Sequence, residues 1–575
     1  MTPLSNGDQL TTSLKFKKTH PQVELRPADE VMRLSRMGAF FPTRLSFSRT
    51  MIRFLEDQKA EVIRPLWEID KEGFGRAIYS VCLGGHNYSL VAFATMLAPE
   101  RRTDRVIAEA WDTSYVLYDG IPNKAELERL QNNAPKQEAG RFMACDLILS
   151  RANKSVRIFE HVVDSLSNGK QPDEDLITSV GYLMRTTAVY GNGKFGTADR
   201  ERVVDRPGFL APFQAEMLTV WLIRGFTHDL VEYIAECRAP ETFIPLDRRL
   251  MRHLGIGNAT GLGMAPFLVN HPILINNWMV ARETALARLR AIEISDAECV
   301  KNIRNLIIRA RRHLDQWNVD DVRQMARIKI LRREFEEVEA WATPECLEAP
   351  HPWDRLVRYS SCWSQECQEL IVALIMEHHG QIIDDLADDM SSNSTLLLEP
   401  AKTVGELCEL IEQNYQWALD VDFENAEAQH YFWYVSEEKL EPLLGIRLEE
   451  PGSGMELPLD LARRVQALAC DLEPPPDAQT IAEFLVQHPC HRYITRRVQA
   501  TEFHLYSEIR DNLIGADCMP IDMLRCKLSF FGASKFDPKS DRWTRIALFQ
   551  GAPLIGEISS NRADDWWLPV IGNDL

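Results

Sequence analysis

RAIYSVCL, residues 76–83, and YSLVAFAT, residues 88–95, flank Gly84-Gly85-His86-Asn87, and this stretch decides the fold of the amino-terminal region. Both arms are rich in β-branched and aromatic residues. A glycine-bearing connection of four residues can join them only as antiparallel neighbours, so the pattern predicts a β-hairpin. Residues 105–118 (RVIAEAWDTSYVLY), closed by Asp119-Gly120, add a further strand. Upstream, Val31, Leu34 and Met37 are spaced three apart and predict a short helix. Residues 26–123 are therefore expected to form a small α+β domain with a mostly antiparallel sheet. The polar residues 1–25 are expected to form a tail.

Downstream the apolar period lengthens. Phe142, Cys145, Leu149, Val156, Phe159 and Val163 trace one stripe, which predicts a long helix over residues 138–166. Asp173 is placed to cap a helix running to about residue 190. Residues 211–237 are apolar around most of the circumference between 217 and 226, as in a buried helix, with Pro212 in its first turn. Val300, Ile303, Leu306, Ile307, Ala310 and Leu314 mark another helix, and residues 328–340 one more. Residues 124–345 thus read as a large helical core domain.

Pro344 and the Pro350/Pro352 pair set a boundary before a second helical domain, residues 346–500. It is broken at residues 449–454 (EEPGSG) and at Pro474-Pro475-Pro476. Residues 501–575 predict a C-terminal α+β element with short strands at 523–530, 543–550 and 554–558. The expected fold class is mainly α and multi-domain, with an antiparallel α+β domain at the N-terminus and a short β-containing element at the C-terminus.

Composition narrows the function. The 575 residues carry a net charge of −19, which disfavours general binding to nucleic acid or anionic membrane. Residues 282–333 are locally basic, but their positives interleave with helical core positions and match no nucleic-acid module. The twelve cysteines are dispersed with no C-x-x-C pair, so a zinc ribbon or finger is not expected and free thiols in the cytoplasm are. The first twenty residues lack the apolar core of a signal peptide. The apolar run at 370–376 is far shorter than the ~20 residues that span a bilayer.

Two glycine-rich stretches are the candidate site. Residues 254–278, LGIGNATGLGMAPFLVNHPILINNW, place Gly255, Gly257, Gly261 and Gly263 among Asn258, Thr260, Asn270, His271, Asn276 and Asn277. A helix beginning near Pro266 would offer free N–H groups to an anion. Residues 191–196, GNGKFG, fit G-x-G-x-x-G and resemble both the dinucleotide fingerprint and the protein-kinase glycine loop. The other kinase motifs are absent, and residues 182–190 read as the end of a helix, whereas the dinucleotide fingerprint must follow a strand. What remains is a turn able to nest an anion, with Lys194, Arg200, Arg202 and Arg206 nearby.

Other clusters read as follows. Arg151, Asn153, Lys154, Arg157, Glu160 and His161 fall on the expected 138–166 helix, lining an anionic pocket or, the commoner use of such a run, forming a solvated or ion-paired face. Glu216 is a candidate buried carboxylate. Residues 384–389, DDLADD, resemble the first Asp-rich motif of prenyl diphosphate synthases, which implies Mg²⁺ held by carboxylates; the second such motif is not found. Glu427 and His430 form a single E-x-x-H, where a di-iron site needs two.

The expected function is an enzyme acting on a small anionic metabolite, a carboxylate or phosphate. Asn192, Lys194, Arg200 and Arg202 would hold the anion; Asn258, Thr260, Asn270 and Asn277 would orient it; His271 or Glu216 would move a proton. No metal ligand or cofactor is assigned. The alternatives are Mg²⁺-dependent diphosphate chemistry at Asp384–Asp389 and a non-catalytic helical scaffold. Neither nucleic acid nor membrane is expected as a partner; self-association is open.

Overall fold

The computed structural model describes residues 24–102, 110–136, 141–189, 203–261, 268–269, 271–391, 396–424, 433–435, 442–444, 461–472, 479–510, 521–540, 543–560 and 565–572. The fold is mixed: helices predominate, and they pack against one nine-stranded sheet. Its strands are β1 (Val62–Ile69), β2 (Gly75–Leu83), β3 (His86–Ala94), β4 (Thr113–Asp119), β5 (Asp146–Lys154), β6 (Tyr182–Thr186) and β7 (Gly255–Gly261). After a separate ribbon of β8 (Trp433–Val435) and β9 (Pro442–Leu444), the sheet is completed by β10 (Phe536–Ser540) and β11 (Trp543–Leu548). The spatial order is β1-β2-β3-β4-β5-β6-β7-β11-β10. Every pairing in it is antiparallel except β6 with β7.

The predicted hairpin is present with a tighter connection than expected. Leu83 pairs with His86, so the turn is Gly84-Gly85 alone, with φ of 58° and 79°. Two consecutive positive φ values match the right-handed twist of the flanking strands, and glycine takes them without strain. Alternation then divides the strands between two cores. Tyr79, Val81, Leu90, Ala92, Tyr115 and Leu117 face the main core. Ile78, Val91, Phe93, Val116 and Tyr118 face a smaller one closed by Leu127 and Leu130 of the Lys124–Asn133 helix.

The helix expected over residues 138–166 is not formed. Its first part is β5, whose ladder runs from Thr113↔Ala152 to Tyr118↔Asp146, and only Phe159–Ser167 is helical. The stripe read as period 3.6 also serves a strand, because Ile148 and Ala152 enter the main core while Leu149 packs on the small one. Beside an open β4 edge, tertiary pairing overrides local pattern. Asp173 does cap a helix, accepting from the Leu176 N–H at 2.8 Å, but that helix ends at Val180 with Gly181 left-handed, and β6 follows. Residues 523–530 are helical turns rather than a strand, and the residues around 554–558 form a 3₁₀ turn. Thus the sheet recruits strands from either side of residue 123 and from the C-terminal region.

Gln214–Arg238 is the central helix, buried along its length as expected, though it starts after Pro212, with left-handed Phe213 at its N-cap. Phe226 on it meets the rings of Trp67, Tyr79 and Tyr115 on the sheet at 5.8–6.4 Å. Next to this core, Pro272–Arg290, Ala297–Gln316, Val322–Trp341 and Gln365–His378 form a helical layer. Gln365–His378 is buried from Leu370 through Met376, so the apolar run is a core helix. No described helix is long and apolar enough to cross a membrane.

A seam of buried charge ties this layer together. Glu369 accepts from Arg26 and Arg36, each at 2.8 Å, and from Arg282; Glu283 accepts from Arg26 at 2.8 Å and Arg282 at 2.9 Å. Burial alone would raise the Glu369 carboxyl, but Arg26, Arg282 and Arg36 hold it well below the usual carboxylate range.

Candidate functional site

Parallel strands cannot be joined by a tight turn, and β6 and β7 are not: between them runs the Gln214–Arg238 helix, making a β-α-β unit. Because the strands run in one direction, the chain leaves both at the same edge. Thr186 pairs with Asn258 near that edge. In sequence, residues 191–196 follow β6 and residues 262–270 follow β7, and these two strands are parallel neighbours. The ground on which the dinucleotide fingerprint was set aside is therefore corrected: Tyr182–Thr186 is a strand, not a helix end. The described chain resumes at Val203 and enters a helix only at Gln214.

Lys527 sits at this seam. It lies on the Cys526–Phe531 helix, is fully buried, and its Nζ donates to Asn258 Oδ1 at 3.1 Å and Val189 O at 3.3 Å. Asn258 in turn donates through Nδ2 to Thr186 O at 3.0 Å, so one amide straps β7 to β6 and fixes the lysine. No described carboxylate pairs with this amine. Burial pushes it down to about 7, with the neighbouring Cys526 opposing the shift only weakly. A second buried lysine shows the ordinary alternative. Lys535 Nζ donates to Thr178 O at 2.5 Å and Ser179 O at 3.1 Å, satisfying carbonyls at the end of the Glu174–Val180 helix. Lys527 escaped sequence reading because residues 523–530 looked like a strand; the signal available was one lysine inside CKLSFF.

Among the sequence-selected residues, Asn258 is at the seam, fully buried. Thr260 is in β7, its backbone paired with Thr544. Asn192, Lys194, Arg200, Arg202 and Asn270 lie outside the described residues, as do Glu427 and His430. Glu216 is buried in the first turn of the crossover helix, and His271 is the N-cap of Pro272–Arg290, half-buried, with Pro272 at the first position. Asn277 is buried beside Asn276, whose Oδ1 accepts from the Tyr506 N–H at 3.1 Å. The glycines of β7 serve packing: a Cβ on Gly257 would meet the Tyr182 ring at 2.7 Å, and one on Gly255 would meet Leu548 O at 2.3 Å.

Arg151, Asn153 and Lys154 belong to β5 rather than a helix. Arg151 donates to Lys136 O at 2.7 Å, and Asn153 accepts from the Asp112 N–H at 2.9 Å, so these side chains brace loops. Arg224 is wholly buried and donates to the carbonyls of Leu254, Pro553, Arg252 and Ala552 at 2.8–3.0 Å, fastening the crossover helix to the turns after β11 and before β7. Arg44 grips Asp384 at 2.6 and 2.8 Å, and Arg288 meets Asp385 at 2.7 Å, so the first two DDLADD carboxylates already have cationic partners.

A cavity of about 280 Å³ lies between Ser35, Gly38, Arg327, Gln365, Glu366, Asp522 and Arg525. Its charges are matched, Arg327 to Asp522 at 2.8 Å and Arg525 to Glu366 at 2.9 Å. Two described groups offer metal-ligating atoms within 4.8 Å of one another: Cys299, His378 and His379, and Asp471, His488 and His491. Burial lowers both His378 and His379, the latter to about 4 with help from its neighbour, and raises the Cys299 thiol.

Comparison with known proteins found no family model, no curated relative and no solved structure that matches this chain.

Proposed function

We propose that the protein is a cytoplasmic enzyme acting on a small metabolite that carries a carboxylate or phosphate, bound at the carboxyl edge of β6 and β7. The observation that carries this reading is Lys527: a fully buried amine, held by two neutral oxygens and no described carboxylate, beside the ends of the parallel strands β6 and β7. In open sheets with parallel strands, ligands bind outside the carboxyl ends of the strands, where backbone N–H groups are free. An anion there would supply the counter-charge that Lys527 lacks, in surroundings where Coulomb attraction is far stronger than in water. Asn258 positions the amine; Lys194, Arg200 and Arg202, in the stretch after β6, would extend the cationic wall around Asn192; Thr260 of β7, Asn270 in the stretch that follows it and Asn277 of the Pro272–Arg290 helix would orient the ligand. Glu216 and His271, at the starts of the helices that follow the two stretches, are the proton carriers of this reading.

Thermal shifts with phosphate, pyrophosphate and dicarboxylates, at about pH 6 and about pH 9, test the proposal. One class of anion should stabilise the protein, more strongly at the lower pH where the amine is charged. The effect should vanish in Lys527→Met and persist in Lys535→Met. Equal stabilisation of Lys527→Met removes the seam from the function. No stabilisation by any anion favours the non-catalytic scaffold.

A further inference from the structure

We propose that Cys299, His378 and His379 bind a divalent transition metal, zinc by the chemistry of the donors, where the N-terminus of Ala297–Gln316 meets the C-terminus of Gln365–His378. The inference is independent of the anion site.

Three donors from two helices converge, all within 4.8 Å of one another. Zinc–nitrogen and zinc–sulfur bonds of ~2.0–2.3 Å place tetrahedral neighbours roughly 3.3–3.6 Å apart, so modest side-chain rotation closes the set. A thiolate and two imidazoles select zinc over magnesium or calcium, which take oxygen ligands. Convergence alone could be accidental. The second observation is that Nε2 of His379, a residue 5% exposed, has no hydrogen-bond partner. A buried polar atom left unpaired costs about 1–3 kcal/mol, and a metal bond, direct or through a ring turned to offer it, removes that cost. The surroundings suit a cation. Asp296 and Glu298 precede Cys299 in the chain, and the Trp353 ring closes the apolar side 5.5 Å from the His379 ring. Cys299 occupies the first turn of a helix capped by Asp296, which accepts its N–H at 2.7 Å, so the cap fixes the backbone that carries the thiol.

Binding forms a metal–sulfur bond and two metal–nitrogen bonds, releases the thiol proton to solvent, and leaves a fourth position for water or an exogenous donor. The other convergent group is a weaker candidate. Asp471 already pairs with His491 at 2.7 Å and lies 3.4 Å from His488, so its atoms satisfy one another.

Cobalt titration of the full chain after chelator treatment, followed by absorption and native mass spectrometry, is the test. One cobalt per chain should bind with thiolate-to-metal charge-transfer absorption. Cys299→Ser should lose that absorption. His379→Gln should weaken binding by more than the roughly 10–100-fold that loss of an outer-shell partner costs. His491→Ala should change neither, and circular dichroism should confirm that each variant is folded. Absence of stoichiometric cobalt, a charge-transfer band that survives Cys299→Ser, or loss of binding in His491→Ala overturns the proposal.

Discussion

In the helical layer, Glu369 receives three guanidinium groups and Glu283 two, so that Arg26, Arg36 and Arg282 are matched inside the core. At the parallel seam of the sheet, Lys527 is as deeply buried, and its hydrogen-bond partners among the described residues are the carbonyl oxygens of Val189 and Asn258. The first arrangement is complete in itself, and removing any member strands the rest. The second has no carboxylate partner among the described residues, and the proposed anion would supply the counter-charge. A buried cation without a carboxylate is not by itself a site, since Arg224 and Lys535 also donate to described carbonyls alone; what singles out Lys527 is its place beside the ends of the parallel strands β6 and β7.

The contrast breaks most visibly at Glu369. Glu369→Gln should destabilise the protein by about 3–5 kcal/mol, because three buried arginines lose a shared carboxylate. Urea denaturation measures this directly, and a loss below ~1 kcal/mol would mean that the seam is not mutually dependent. At Lys527 the sign depends on pH. Its folded pKa, about 7, lies below that of the unfolded chain, so between about pH 7 and the ordinary lysine range the unfolded state binds the extra proton and stability rises with pH. Lys527→Met removes this dependence but leaves Asn258 Oδ1 without its donor, a cost of ~1–3 kcal/mol. Relative to the unsubstituted protein, the variant should do best near pH 6 and fall behind by a few kcal/mol towards pH 10. A flat difference across that range would show that the amine is not held neutral. The smallest effect belongs to Asp384→Asn. Its partner Arg44 is buried but Asp384 is a third exposed, so the loss should stay near 1 kcal/mol, and added Mg²⁺ should leave the melting temperature unchanged.

Much of this was legible in sequence, and the failures share one cause. The hairpin around Gly84-Gly85, the buried helix through residues 217–226 and the Asp173 cap all rest on local chemistry, and all are present. β5, β6 and the 526–531 helix were misread because their states depend on partners distant in the chain. Residues 146–154 are a strand because β4 offers an edge, and Tyr182–Thr186 because β7 lies beside it. Asn258 was found from an asparagine among glycines and aliphatics. Lys527, its partner 269 positions away, carried no local mark. The metal-ligating trio was equally hidden, since Cys299 and His378 stand far apart in sequence and no C-x-x-C spacing announces them.

The pairing of β7 with β11, Gly261 opposite Trp543, has a consequence for how the molecule is made. When β7 leaves the ribosome, its second edge has no strand to receive it until β11 emerges much later. Through that interval the nascent chain carries an open, glycine-rich edge on β7. Pairings of this length are slow to form and expose edges to wrong partners. The sheet is finished only when its last strands, β10 and β11, arrive.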